Sequence, residues 1–490
     1  MEMNPPKPHA ILLASPGMGH LRPMLQLGHR LVRLHDLQIT LFIITNETNS
    51  ASKSHLFTSN SDFFHIHLIT PPPQDLTSQP DSGIIRNLIT TMRACIPRIR
   101  SAISEMKHVP TALVVDLFGT DFWDLADEFG MLKFGFMTTN ALFLAAFISI
   151  PFLVNKLSRK EYEALEMIDI PGCKSVAFED VFELANRDDP DHIFARSMAT
   201  NFINADGVLI NTWYDLEPNT IKLLKDGRLL GRVYPIGPIT EQIDKVSSEF
   251  SYILNWLDKQ PEESVIYVSF GSGRSLTHQQ IQELALGLES SKKRFIWVLR
   301  PPTDEVTEYF FSAGNQDEAL DYLPDGFVTR TKDVGLVVPI WAPQAAILAH
   351  SSVGGFLTHC GWNSTLESIT NGVPMIAWPL YGDQNLISIM LTDELKVAIR
   401  PSVRPSRSVV GREELKELVV KLMDDGGEGN IMRNRSKEIQ CTADKVLHAQ
   451  KTGSAMDSLH HFAASLRYKR NGQKRQSKLL RCFTCCAMRH

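Results

Sequence analysis

The sequence predicts two α/β domains, each a doubly wound sheet of mainly parallel strands, facing a common cleft. Three observations predict this. At 490 residues the chain is too long for one ordinary domain. Its apolar runs are short and continuous rather than alternating, as in strands buried on both faces of a parallel sheet. A polar, patternless stretch from Thr240 to Phe250 (TEQIDKVSSEF) then separates two halves with the same strand–helix grammar.

In the first half, His9–Ser15 reads as a strand and Pro16–His20 as a glycine-rich turn. Leu21–Leu34 reads as an amphipathic helix with Leu21, Met24, Leu25 and Leu31 on one face. Gln38–Thr45, Thr111–Phe118, Gly207–Asn211 and Val233–Ile236 are further strands. Phe134–Asn155 is uncharged and long enough to span a bilayer. Gly135, Thr138, Thr139, Asn140, Ser149 and Pro151 interrupt it, so a buried strand (134–138) and a buried helix (141–150) are expected instead. In the second half Ser264–Phe270, Arg294–Leu299, Gly335–Ile340, Val353–Thr358 and Pro374–Trp378 are the strands. Thr303–Asp321 reads as a surface loop and Asp424–Glu428 as a turn.

Composition narrows the function. A hydrophobic fraction of 43% and a charged fraction of 21% are those of a soluble protein with a sizeable core. A net charge of −5 argues against nucleic acid as a partner. The seven cysteines are odd in number, and reduced thiols in a cytoplasmic enzyme fit them better than a disulfide framework. The start, MEMNPPKPHAILLAS, lacks the charged beginning and long apolar core of a signal peptide. Of the sequons at Asn46, Asn363 and Asn434, the second falls where a glycan would block the site described next.

The stretch Trp341–Gln384, WAPQAAILAHSSVGGFLTHCGWNSTLESITNGVPMIAWPLYGDQ, carries most of the chemistry. Ligands of open α/β sheets sit at the carboxyl ends of strands, where helix N-termini offer amide donors. After Val353–Thr358 a glycine-flanked turn presents His359 and the amides of Asn363 and Ser364 to an anion. Glu367, one helical turn on, suits vicinal ribose hydroxyls. Trp341 follows a strand and can stack on a planar base, and Asp383 with Gln384 can bond sugar hydroxyls. Taken singly, Asn363 and Ser364 read equally well as helix caps, Glu367 as a solvated face, and Trp341 as core. His20, ending the turn Ser15-Pro-Gly-Met-Gly-His20, is the candidate base, although a lone His near a turn is more often structural. Asp116 ends another strand of the same sheet, where its carboxylate could orient the imidazole and stabilise the imidazolium.

From its initial Trp through HCGWNS to the final Gln, this stretch resembles, without a gap, the signature box of the plant UDP-dependent glycosyltransferases of secondary metabolism. The resemblance runs from PHAILLASPGMGHL to about Ala464. It implies the two-domain GT-B architecture: residues 1–240 as an acceptor-binding domain with the base, 241–250 as linker, and 251–464 as the UDP-sugar domain. It further implies that Trp341 stacks on uracil while Ala342 and Gln344 fix the base edge. Glu367 would hold the ribose, and His359, Asn363, Ser364 and Ser272 (in VSFGSG) the diphosphate. Trp362, Asp383 and Gln384 would contact the hexose, a terminal Gln going mostly with glucose donors. His20 and Asp116 match the family's base pair.

The implied reaction is inverting glucosyl transfer from UDP-glucose, a co-substrate, to a small hydrophobic acceptor hydroxyl. Helix-start amides and His359 would neutralise the departing diphosphate, with no metal and no cofactor. Phe118 and Phe143 are expected to line the acceptor site, Phe143 serving equally as core. SPGMGHL and VVDLFGTD resemble the branch that glucosylates simple phenolics, from which FWDLADEFG departs. The alternatives are another UDP-sugar, a non-phenolic acceptor, or a non-catalytic UDP-sugar-binding protein. Asp189-Pro190-Asp191 fits a metal-binding DxD only formally, since no strand precedes it. PGMGH and Gly271-Ser272-Gly273 lack the third glycine of a dinucleotide fingerprint. A monomer is expected. From Arg467 onward there are eight Lys/Arg and no Asp or Glu, with Cys482, Cys485 and Cys486 near the end. S-acylation and membrane-surface contact would suit such a tail (residues 465–490), but its composition favours disorder.

Overall fold

β1 (His9–Ala14) is the hub of the first sheet. Every residue of it after His9 is buried, and it pairs in parallel with β2 (Gln38–Ile44) on one side and β4 (Ala112–Val115) on the other. β3 (Phe64–Ile69), β5 (Leu132–Met137), β8 (Gly207–Ile210) and β9 (Arg232–Pro235) complete a parallel sheet of order β3-β2-β1-β4-β5-β8-β9. β6 (Met167–Ile168) and β7 (Val176–Ala177) form a small antiparallel pair beside it. The second sheet is built on β10 (Val265–Ser269), between β11 (Arg294–Leu299) and β13 (Val353–Thr358). With β12 (Gly335–Pro339), β14 (Met375–Ala377) and β15 (Ala398–Ile399) its order is β12-β11-β10-β13-β14-β15. The computed structural model describes residues 7–45, 63–72, 84–170, 175–181, 189–226, 230–240, 247–302, 319–448 and 454–469. The two doubly wound domains expected from the sequence are therefore present.

In both sheets the strand order reverses beside the first strand, between β1 and β4 and between β10 and β13. Loops leaving the carboxyl ends there diverge to opposite sides and open a crevice, the usual ligand site of this architecture. The crevices are held together by contacts between the two halves. Trp362 Nε1 donates to the Asn211 carbonyl at 2.7 Å, and Trp213 Nε1 to Thr442 Oγ1 at 3.0 Å. Arg404 and Arg407 pair with Glu179 at 2.6 and 2.8 Å.

The uncharged run divides as expected into β5 and the helix Ala141–Lys156, which is longer than 141–150. Asn140 Oδ1 accepts from the Phe143 amide at 2.9 Å. Glu217, from a distant turn, accepts from the amides of Ala141 and Leu142 at 3.0 and 2.9 Å. A carboxylate here satisfies the helix's orphan donors and complements its dipole. Among the described residues no helix is long and apolar enough to cross a membrane.

Three expectations need correction. The strand Thr111–Phe118 stops at Val115, because Asp116 turns the chain into the 3₁₀ turn Leu117–Phe122, accepting the Phe118 amide at 3.2 Å. The linker ends sooner than Phe250: Ser248–Phe250 is already a helical turn running into Ser251–Leu257. The last helix, residues 454–469, belongs to the first sheet. Leu459, Phe462, Ala463 and Leu466 pack with Leu12, Met24 and Phe134, and Phe462 meets the Phe134 ring edge-on at 4.8 Å. The second domain thus does not continue to residue 464. The tail beyond residue 469, residues 241–246 of the linker and most of the Thr303–Asp321 loop lie outside the described residues. Asp189 caps the helix Pro190–Ile203 through the Asp191 amide at 2.8 Å, the ordinary turn role of an Asp-Pro pair.

Candidate active site

The first crevice holds His20 and Asp116. The chain leaving β1 enters the helix Met18–His35 after Gly17, whose φ of 114° suits a residue without Cβ. His20 therefore sits in the first helical turn, with its side chain 22% exposed. Asp116 leaves the neighbouring β4 and is fully buried. Its Oδ2 lies 3.1 Å from His20 Nδ1 and accepts the Ser15 amide at 2.7 Å, while Oδ1 accepts the Ser15 hydroxyl. This buried charge is thus fully hydrogen-bonded. A carboxylate at Nδ1 places the ring proton there and leaves Nε2 with its lone pair. Burial works against the imidazolium. The charge and hydrogen bond of Asp116, with the charge of Asp383, outweigh it and raise the His20 pKa above its ordinary 6.5.

Asp383 comes from the second domain, and its charge is among the causes that raise the His20 pKa. Its own pKa is raised by burial, against the influence of Thr139 and His20. Asn363 also crosses, its Nδ2 donating to the Gly19 carbonyl at 3.0 Å while its Oδ1 is buried without a hydrogen-bond partner.

The second crevice is lined by the loops after β10 and β13. Ser272 is exposed on the first, following Gly271 at φ +70°. His359 is 8% exposed and enclosed by two glycines: a Cβ on Gly271 would lie 2.4 Å from its Cε1, and one on Gly361 2.3 Å from its Nε2. Burial, then the nearby Arg300 charge, push the His359 pKa down to about 4, against a hydrogen bond with the Ser269 backbone. His359 is therefore neutral near pH 7, with Nδ1 buried and unpartnered. With no anion bound, burial therefore disfavours the imidazolium at this ring.

Further out, Gln344 Nε2 reaches Ser364 Oγ at 2.9 Å and Glu367 Oε2 at 2.7 Å, joining three of the expected donor residues. Ala342 is buried, and its carbonyl accepts the Gln344 amide at 2.8 Å. Trp341 is 45% exposed, its ring steadied edge-on by Phe250 at 4.8 Å, which leaves indole surface open for a planar base.

Two hexose assignments change in detail. The Trp362 indole is buried and committed to Asn211, so the side chain is not free to meet a sugar. Gln384 Oε1 accepts the amides of Leu380 and Tyr381 at 2.8 and 3.1 Å, leaving its NH₂ as the group that can reach outward. On the acceptor side, Phe118 lies 5.3 Å from the His20 ring. Phe143 instead stacks on Phe147 at 5.8 Å within the core, the packing role weighed for it.

From the sequence no site role is assigned to Ser15, Thr138, Thr139 or Arg300. The Thr pair follows β5 and Arg300 follows β11, so the rule that found Asp116 could have found them.

Known proteins share this arrangement. Residues 206–433 match the family model described as UDP-glucoronosyl and UDP-glucosyl transferase. UDP-glycosyltransferase 72E1 of Arabidopsis thaliana is 43% identical over 471 residues, covering 93% of this chain and 96% of the relative. Anthocyanidin 3-O-glucosyltransferase 5 of Manihot esculenta is 42% identical over 451 residues, covering 90% and 92%. Among solved structures, TcCGT1 in complex with UDP aligns with a TM-score of 0.87 at 43% identity, covering 95% of this chain and all of that one. Phytolacca americana UGT2, complexed with UDP-2fluoro-glucose and pterostilbene, aligns at 0.82 and 35% identity over 94% of this chain and all of its own. Sequence and fold agree over most of the chain, and it belongs to the plant UDP-glycosyltransferase family.

Proposed function

We propose that this enzyme transfers glucose from UDP-glucose to a hydroxyl of a small phenolic acceptor, with inversion and with His20 as general base. The observation that carries the reading is the His20–Asp116 pair, 3.1 Å apart at the mouth of one crevice and facing the donor loops of the other. His20 Nε2 takes the acceptor proton as the acceptor oxygen bonds to the anomeric carbon. The bond from that carbon to the β-phosphate oxygen breaks, and its electron pair leaves with UDP. Attack opposite the leaving group inverts the anomeric centre through a transition state of oxocarbenium character. Asp116 stabilises the imidazolium, which forms without losing its Nδ1 proton.

A phenol, with a pKa of about 10 like that of Tyr, suits an imidazole base better than an aliphatic alcohol does. Phe118, 5.3 Å from the His20 ring, favours an aromatic acceptor. Trp341, Ala342 and Gln344 are assigned to uracil, Glu367 to ribose, and Ser272, His359, Asn363 and Ser364 to the diphosphate. Asp383 and the Gln384 NH₂ are assigned to the hexose. The complex of the Phytolacca enzyme with a fluoro-glucose donor and a stilbene is in line with this pairing. The reaction is proposed to need no metal, so activity should survive excess chelator.

The test is product mass from UDP-glucose and a panel of phenols, flavonoids and aliphatic alcohols. Glucosides of phenols, lost in His20→Ala with UDP binding retained, are expected. Turnover unchanged in His20→Ala would overturn the base assignment, and reaction with aliphatic alcohols alone would overturn the phenolic one. A non-catalytic binding protein would show UDP binding and no product at all.

A further inference from the structure

The departing UDP gains negative charge as the glycosidic bond breaks, and a fixed positive potential beside the diphosphate would lower that barrier. Arg300 follows the carboxyl end of β11, next to β10. Its Nη1 donates to the Gly271 carbonyl at 3.2 Å and to the Gly273 carbonyl at 3.3 Å, spanning the residue that carries the Ser272 hydroxyl. Its own carbonyl accepts the Ser275 hydroxyl at 3.3 Å. The guanidinium thus grips the loop on both sides of Ser272. The Gly271 backbone in turn lies against the His359 ring, and the Arg300 charge is felt at that ring.

We propose that Arg300 is a positioning residue for the leaving group: it fixes the Ser272 loop and supplies the positive potential under which the diphosphate departs. The inference rests on the donor-site reading above. Departure moves the electron pair of the anomeric C–O bond onto the β-phosphate oxygen, so released UDP carries one more negative charge than the diphosphate of UDP-glucose. A fixed cation stabilises the former more than the latter, and so lowers the barrier without tightening the ground state equally. A loop-shaping role alone would affect both ligands alike.

The experiment compares wild type with Arg300→Gln, which keeps a donor for the loop carbonyls without the charge, and with Arg300→Lys, which keeps the charge without the planar fork. Affinities for UDP and UDP-glucose are measured by calorimetry, and kcat and KM with a phenolic acceptor. In Arg300→Gln we expect kcat to fall roughly 10- to 100-fold with little change in KM for UDP-glucose. UDP affinity should fall about tenfold more than UDP-glucose affinity, and Arg300→Lys should restore much of both effects. Equal losses for the two ligands, or an unchanged kcat, would overturn the inference. If Arg300→Gln fails to fold, Arg300→Met is read by the same ratio. A wild-type chain that binds neither ligand ends the donor-site reading and this inference with it. Wild-type binding with an unaltered ratio in the variants ends this inference alone.

Discussion

His20 Nδ1 and Asp116 Oδ2 lie 3.1 Å apart, and the carboxylate of this pair is fully buried and held by Ser15. On the proposed reading Asp116 orients the imidazole and does not carry the proton. Asp116→Asn keeps the shape but replaces an acceptor-only group with one that can donate, which favours the wrong tautomer. We expect kcat to fall by about two to four orders of magnitude, with UDP affinity within a few-fold of wild type. Single-turnover glucosylation and calorimetric UDP binding check both halves. A kcat within tenfold of wild type would show that Asp116 serves the fold alone.

The pH dependence follows from the same pair. His20 must be neutral to accept a proton, and its pKa is raised above 6.5. The acid limb of kcat/KM is therefore expected above pH 6.5, with rate rising as pH rises. Stability on the acid side has contributions of both signs: the raised pKa values of His20, Asp383 and Glu217 favour the fold as pH falls, and three other histidines oppose them. His9, His35 and His359 are each pushed down to about 4, by burial first. The unfolded chain protonates these groups near pH 6.5, but the folded chain does not until about pH 4. Their net effect is to weaken the fold progressively as pH falls through that window. Thermal melts from pH 7.5 to 4.5 should show a falling midpoint, and initial rates read at short times should place the kinetic limb above it. His35→Phe, which removes one such ring, should show a shallower fall than wild type; an equal fall would contradict the contribution of His35.

Much of this molecule is legible in its sequence, and the failures have physical causes. β1, β2, β10, β11 and β13 read correctly because both faces of each are covered, so no charged residue interrupts the apolar run. β3 (FHIHLI) was passed over because it is an edge strand, and His65 and His67 break its apolar pattern. Asp116 shows how one side chain can end a strand: VVDLF is extended only until the carboxylate captures the Phe118 amide. Residue types in the donor box pointed to a nucleotide sugar, but commitments of individual atoms did not show. The Trp362 indole and Gln384 Oε1 are engaged by backbone groups that only the folded chain brings near. The return of residues 454–469 to the first sheet is a tertiary choice, since Phe462 would suit any apolar surface.

Gly271 and His359 couple the phosphate loop to the donor helix. Alanine at position 271 would meet two penalties: a φ of +70° that disfavours a Cβ, and contact at 2.4 Å with a ring that Gly361 keeps from retreating. Gly382→Ala is the control, with a φ of +63° but open space around the added carbon. The expectation is at least about a tenfold loss of UDP affinity in Gly271→Ala, since a ~1.4 kcal/mol displacement of the loop suffices. Gly382→Ala should cost only about 1 kcal/mol of stability, with UDP affinity retained. Similar UDP affinities for both variants would mean that left-handed strain, and not the ring, limits position 271.

Trp362 joins the donor helix to the first domain through the Asn211 carbonyl at 2.7 Å. Trp362→Phe removes the indole donor and leaves that carbonyl without this partner in a buried interface, a loss of about 1–3 kcal/mol. Asn211 also holds the start of the interdomain connection, its side chain exchanging two hydrogen bonds with the Ile239 backbone. The destabilisation should therefore appear as a lower melting midpoint and as faster proteolysis between residues 240 and 250. Because the indole N–H is committed to the Asn211 carbonyl, the ratio of kcat/KM for UDP-glucose to that for UDP-galactose is expected to stay as in wild type. A changed ratio with an unchanged melting midpoint would return Trp362 to the hexose site.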